Sequence, residues 1–176
     1  SNSGDLVIIH NGIIENYDTI KEELIKRGHQ FESETDTEVL AHLIEDVKTR
    51  ENLSLEDAVR IALQSVVGAY AIVVMSKNEP AKMVAAKKSS PLVIGVGEEE
   101  GEFFLASDAT PIVEFTKNVV YLEDEEIAVV DRQNGLRIVN IKNQEKNPYI
   151  QELELQLEEL EKGGYEHFML KEIFEQ

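Results

Sequence analysis

The sequence predicts an α+β domain, helices first and a run of strands after them, and three observations carry this. Between residues 14 and 65, apolar side chains return every three or four positions in three successive segments, the period of a helix with one buried face. Beyond Gly68 the pattern shortens to brief runs rich in Val, Ile and Phe, broken by Gly, Pro and Asn, which marks strands and their turns. One apolar run, Leu6-Val7-Ile8-Ile9, precedes the helices. Helices followed by strands pack as sheets covered by helices.

The elements follow in order. Residues 6–9 form a buried-type strand. Residues 15–27 form a helix, with Ile14, Tyr17, Ile20, Leu24 and Ile25 in phase and Gly28 as its stop. Residues 37–49 form a second, with Val39, Leu40, Leu43, Ile44 and Val47 on one face. Ser54 opens a third, and Asp57 three residues on makes a variant capping box; its inward face is Ala58, Ile61, Ala62 and Ser65. Strands are predicted over 69–75, 83–87, 92–96, 103–106, 119–122, 126–130 and 136–141, with turns at 78–80, 97–101 and 134–135. Thr110-Pro111 reads as a cap and first-turn pair opening a short helix toward Phe115. Residues 149–162 form an acidic amphipathic helix, with Ile150, Leu153, Leu157 and Leu160 in phase, and Gly163-Gly164 breaks the chain after it. That helix either packs on its own sheet or bridges to another domain or subunit.

Composition narrows the function classes. The 176 residues are one domain's worth, 42% hydrophobic and 30% charged, which is ordinary for a globular chain. There is no cysteine, so disulfides and thiolate metal sites are excluded. His10, His29, His42 and His167 show no close metal-ligand spacing, and no metal is expected. Asp and Glu outnumber Lys and Arg 35 to 17, a net charge of −18, which repels polyanions and excludes nucleic acid. The acidic runs 98–100 and 123–126 read as solvated turns rather than calcium loops. No apolar run approaches the roughly 18 residues a membrane helix needs.

Two short stretches carry the chemistry. In His10-Asn11-Gly12-Ile13-Ile14-Glu15-Asn16, the Asn and Gly follow an apolar strand. A carboxamide beside a glycine N–H at a strand end forms a donor pair for an oxyanion. In Ser33-Glu34-Thr35-Asp36-Thr37-Glu38, the Asp stands at a helix start, where it caps the helix or holds a ligand ammonium group. Asn-Gly is also a common turn dipeptide, so physics alone leaves both readings open.

These two stretches, with Ser90-Pro91-Leu92-Val93-Ile94-Gly95, Ala106-Ser107-Asp108, Tyr121-Leu122-Glu123-Asp124 and residues 165–176, resemble the glutaminase domain of the isomerising glutamine–fructose-6-phosphate aminotransferases, which are class II glutamine amidotransferases. The resemblance spans residues 4 to 176. It implies an N-terminal-nucleophile-hydrolase-type αββα sandwich lacking its first strands. Residues 1–3 read as an expression remnant, 4–148 as a partial glutaminase domain, and 149–176 as a linker helix and the start of the passage to an isomerase half. The family's nucleophile is a first-residue cysteine, and this chain has none, so the chain is expected to be inactive.

By the matching motifs, Asn11 and Gly12 form the oxyanion hole and Asp36 holds the α-amino group of glutamine; His10 and Asn16 are structural. The resemblance implies glutamine as ligand, fructose 6-phosphate as substrate of the absent isomerase half, amino-sugar biosynthesis as the purpose, no cofactor and a cytoplasmic setting. A homodimer is expected through an exposed sheet edge near residues 6–9 or through the 149–162 helix. The alternatives are the glutaminase domain of another class II amidotransferase and a non-catalytic interaction module.

Overall fold

The computed structural model describes residue 1 and residues 3–153. Strand β1 (Leu6–Ile14) leads into helices α1 (Tyr17–Lys26), α2 (Asp36–Glu51) and α3 (Leu55–Leu63). Then come β2 (Gly68–Ser76), β3 (Lys82–Lys88), β4 (Val93–Val96), β5 (Phe103–Ala106), β6 (Asn118–Tyr121), β7 (Glu126–Asp131), β8 (Gly135–Asn140), β9 (Glu145–Lys146) and β10 (Gln151–Glu152). They make two antiparallel sheets, one ordered β1-β2-β3-β7-β8-β9 and one ordered β10-β6-β4-β5. The predicted α+β class is the observed one.

Period-two alternation lets each inner strand serve two cores. Tyr70, Ile72, Val74, Val84, Ala86 and Ile127 face the helices, and Ala71, Ala85, Ala128 and Ile138 face Ile94 and Val120 of the smaller sheet and Leu92 just before it. The outer face of that sheet is covered by Ile112 and Val113 and by Leu153. Helix α2 packs against α1, α3 and β1, which is why it is buried on nearly every side from Val39 to Asp46.

Four sequence expectations change. β1 does not end at Ile9 but runs on to Ile14, in register with β2 from Leu6↔Ser76 to Ile14↔Gly68. The Asn-Gly pair therefore lies inside a strand, and Ile14 belongs to β1 rather than to the face of α1. Residues 110–115 form overlapping turns instead of a helix, and Asp108, not Thr110, supplies the cap by accepting the Thr110 N–H at 2.7 Å. The buried face of α3 is Leu55, Ala58, Val59, Ala62 and Leu63; Ile61 is half-buried and Ser65 exposed, because the face is rotated toward the Leu55-Val59-Leu63 row. The helix expected from 149 starts as β10, whose Gln151 pairs with Val119; the rest of that expected helix lies outside the described residues. The acidic run 123–126 is also tied down: Asp124 pairs with Lys87 at 2.8 Å and Glu125 with Lys88 at 2.9 Å.

Asp5 fastens α2 to the start of β1. Its carboxylate accepts from Lys48 Nζ at 3.1 Å, Ser76 Oγ at 3.0 Å and Asn78 Nδ2 at 3.0 Å. Burial pushes its pKa up, but the Lys48 and Ser76 contacts outweigh that and hold it below the usual 3.8. A depressed folded pKa contributes stability above the unfolded value, and that contribution is lost as pH falls through the folded one. Asp5→Asn is therefore expected to be less stable than the parent at neutral pH, with the gap closing below about pH 3.8. Urea midpoints measured across that range check it; a gap independent of pH would contradict it.

Candidate functional site

The Ser33–Glu38 stretch is a capping box. The Thr35 hydroxyl accepts the Glu38 N–H at 3.3 Å. The Glu38 carboxylate reaches back to the N–H groups of Glu32 and Ser33 at 2.8 and 2.7 Å. Burial alone would raise the Glu38 pKa, yet these donors carry it down to about 2. The box makes Thr35 the N-cap and Asp36 the first helical residue, so the Asp36 side chain is released from capping and turns to β1.

There, Asp36 Oδ2 accepts the N–H of Ile14 at 2.9 Å. Among the described residues β1 has a neighbour strand on one side only, so Asp36 sits on the strand's free edge. Gly12 stands two residues earlier, and alternation turns its N–H toward the same edge. Two residues of strand span about 7 Å, so the carboxylate and that N–H are roughly one glutamine length apart. The Asp36 side chain keeps 24% of its surface exposed, and a carboxylate with open lone pairs can take an ammonium group.

Asn11 follows the opposite phase of the strand. Its face carries the exposed Val7, Ile9 and Ile13, while Leu6 and Ile14 on the other face are buried. The structure thus brings Asn11, Gly12 and Asp36 to one stretch of strand edge, with Asn11 projecting from the sheet face away from the helices.

Gly12 has a structural demand that the motif alone does not disclose. Its φ is +131°, and a Cβ there would run into the Ala69 carbonyl and the Tyr70 Cα of β2. Asn16 bridges backbone instead of facing the edge: Nδ2 donates to the Ser65 carbonyl and Oδ1 accepts the Val67 N–H, both at 2.9 Å. His10 Nδ1 lies 3.0 Å from Thr37 Oγ1 and 3.8 Å from Asp36 Oδ1. Burial lowers its pKa against the pull of Asp36, and its Nε2 is buried with no hydrogen-bond partner among the described atoms. His10 and Thr37 thus back the carboxylate from the helix side.

A model of the glutamine amidotransferase domain matches residues 1–114. The chain belongs to the glutamine amidotransferase domain family. Its relatives include glutamine–fructose-6-phosphate aminotransferase [isomerizing] of Bacteroides thetaiotaomicron, 57% identical over 176 residues, all of this chain and 28% of that protein. The enzyme of the same name from Chlorobaculum tepidum is 58% identical over 175 residues, 99% of this chain and 28% of that protein. The chain thus spans under a third of the length of these relatives. Among solved structures it resembles glutamine phosphoribosylpyrophosphate amidotransferase from B. subtilis, with a TM-score of 0.67, 28% identity, and coverage of 80% of this chain and 30% of that one.

The fold joins two histidines that the sequence keeps apart. His29, His42 and Glu45 come together, one ligand atom of each within 4.8 Å of the others. The 13-residue gap hides this in sequence; the visible signal is Glu38, His42, Glu45 and Asp46 at helical spacing on α2. No helix among the described residues is long and apolar enough to cross a membrane.

Proposed function

We propose that this chain is part of the glutamine-hydrolysing unit of an isomerising glutamine–fructose-6-phosphate aminotransferase. The observation that carries the reading is the Asp36 carboxylate docked on the free edge of β1, two residues past Gly12. On this reading Asp36 holds the α-ammonium of glutamine. A cysteine thiolate supplied from outside these residues adds to the side-chain amide carbon, and Asn11 Nδ2–H and the Gly12 N–H take the resulting oxyanion. The C–N bond then breaks, the nitrogen leaves as ammonia, and water hydrolyses the thioester to glutamate. The ammonia aminates fructose 6-phosphate in the isomerase half to give glucosamine 6-phosphate. No cofactor enters the glutamine step, and the reading assigns the enzyme to the cytoplasm. The 57% identity to an enzyme of that name favours it over other class II amidotransferases.

The present chain has no cysteine, so it is expected to release no ammonia from glutamine. Ammonia above buffer background that disappears in Asn11→Ala would overturn this.

We also propose that two copies pair through the start of β1, near residues 6–9, which leaves the edge from Gly12 to Ile14 open to glutamine. Among the described residues its outer edge has no partner strand, and Val7 and Ile9 on one face are 63% and 70% exposed. Next to them a groove of about 380 Å³ is lined by Ile9, Val73, Met75, Phe103 and Phe115. An unpaired apolar edge recruits another strand, and an isologous pairing buries it against its own copy. Light scattering at micromolar concentration should give twice the single-chain mass; 19.9 kDa would contradict the pairing.

A further inference from the structure

Two polar side chains reach Asp36 from behind. His10 stands on β1 with its side chain against α2 and only 2% exposed. Its Nδ1 lies 3.0 Å from Thr37 Oγ1, and Thr37 Oγ1 lies 3.4 Å from Asp36 Oδ1. The other carboxylate oxygen, Oδ2, accepts the Ile14 N–H at 2.9 Å. Both oxygens are therefore held from the protein side, Oδ2 by the strand and Oδ1 by the helix.

What each group can donate sets the direction of this chain. A carboxylate only accepts, so the Thr37 hydroxyl gives its single proton to Asp36. The Thr37 oxygen then accepts in turn, and its donor is the Nδ1–H of His10. The hydrogen bond that one ring nitrogen makes decides where the proton of a neutral imidazole sits. The Asp36 carboxylate, 3.8 Å from Nδ1, favours the same placement. A proton on Nε2 instead would be a buried N–H with no acceptor among the described atoms, which is costly.

The chain matters because a carboxylate is a loose rotor. The torsion that turns its plane has broad minima, so the Ile14 N–H alone leaves the plane free to swing. A second hydrogen bond on the other oxygen fixes it. A neutral donor also leaves the negative charge to the ligand, where an imidazolium would compete with an incoming ammonium group.

We propose that His10 and Thr37 are positioning residues for the glutamine step: the chain His10 Nδ1–H to Thr37 Oγ1–H to Asp36 Oδ1 sets the carboxylate plane so that its exposed side meets the α-ammonium of glutamine. The proposal rests on the reading of Asp36 given above. The two residues act through Asp36 and take no part in bond making. A pair that only joined β1 to α2 would, when broken, lower stability and every activity together.

The test has two parts. A long-range proton–nitrogen NMR spectrum of the 176-residue chain, with the His10 signals assigned by their loss in His10→Asn, should show the ring proton on Nδ1. The opposite tautomer would overturn the proposal. The second part uses a complete relative that carries the cysteine and these three residues. Thr37→Val should raise its glutamine KM about 10-fold, the lower end for a hydrogen bond to a charged group and in keeping with the 3.4 Å separation. His10→Leu, one bond further back, should raise it about 3- to 5-fold. In both, kcat at saturating glutamine and ammonia-supported synthesis should stay near the parent values. His10→Asn, whose amide N–H replaces Nδ1–H, and Thr37→Ser should restore the parent KM. The double variant should bind glutamine no more weakly than Thr37→Val, because both changes break one chain. A parent-like KM in Thr37→Val would overturn the proposal, and so would equal losses with glutamine and ammonia. Thr37 is half-buried, so its variant decides the matter even where His10→Leu does not fold. Asp36→Ala separates the two levels. If it leaves the glutamine KM unchanged, the reading of Asp36 falls and the positioning role with it; if it raises KM while Thr37→Val and His10→Leu do not, only the positioning role falls.

Discussion

Gly12→Ala is expected to cost the domain about 2–6 kcal/mol, a large share of its stability. Two terms add. At φ +131° the backbone is in a region that only glycine occupies freely, and forcing another residue there costs about 1–3 kcal/mol. The new Cβ also meets the Ala69 carbonyl and the Tyr70 Cα, backbone atoms that cannot rotate away, and overpacking of that kind costs about 1–3 kcal/mol. Total stabilities are about 5–15 kcal/mol, so the loss is a large share. Gly135 is the control: its φ is +78° and a Cβ there meets nothing within 4 Å, so Gly135→Ala should cost only about 1–2 kcal/mol. Urea midpoints of the two variants separate the cases. Equal losses would mean that the close approach of β2 to Gly12 carries no weight.

Asn11→Ala in a complete relative carrying the cysteine is the second large effect. Removing one oxyanion donor costs about 10²–10³ in rate. Asn11 is exposed on the face of β1 away from the helices, so its removal should leave folding intact. The expected signature is a glutamine-supported kcat lowered by that factor with stability unchanged. A fall in stability with little change in kcat would make Asn11 a structural residue.

Much of the fold was legible because it rests on local rules. The helical period marks α1, α2 and α3, Ser54 with Asp57 marks the start of α3, and the shift of period at Gly68 marks β2. Asn11-Gly12 misleads because the tolerance of glycine for positive φ serves a turn and a close strand approach equally. What separates them is the pairing with Ala71 and Tyr70, sixty residues away in sequence. Residues 151–153 mislead for a similar reason: helical spacing of Ile150 and Leu153 does not prevent Gln151 from pairing with Val119 on the open edge of β6. In the site, the positions of Asn11, Gly12 and Asp36 came from their motifs. The capping box that frees Asp36, the Ile14 N–H that receives it and the meeting of His29 with His42 are tertiary facts. Their parts are visible in sequence, but the distances that join them are not.

The central claim is that Asp36 on the edge of β1 belongs to glutamine chemistry rather than to the fold. One measurement tests it most directly: glucosamine 6-phosphate formation by a complete relative bearing Asp36→Ala, assayed once with glutamine and once with ammonia. Loss of the ammonium partner should raise the glutamine KM strongly, while ammonia-supported synthesis and sugar isomerisation continue at the parent rate. Equal loss with both nitrogen sources would contradict the account and make Asp36 a residue that only joins α2 to β1.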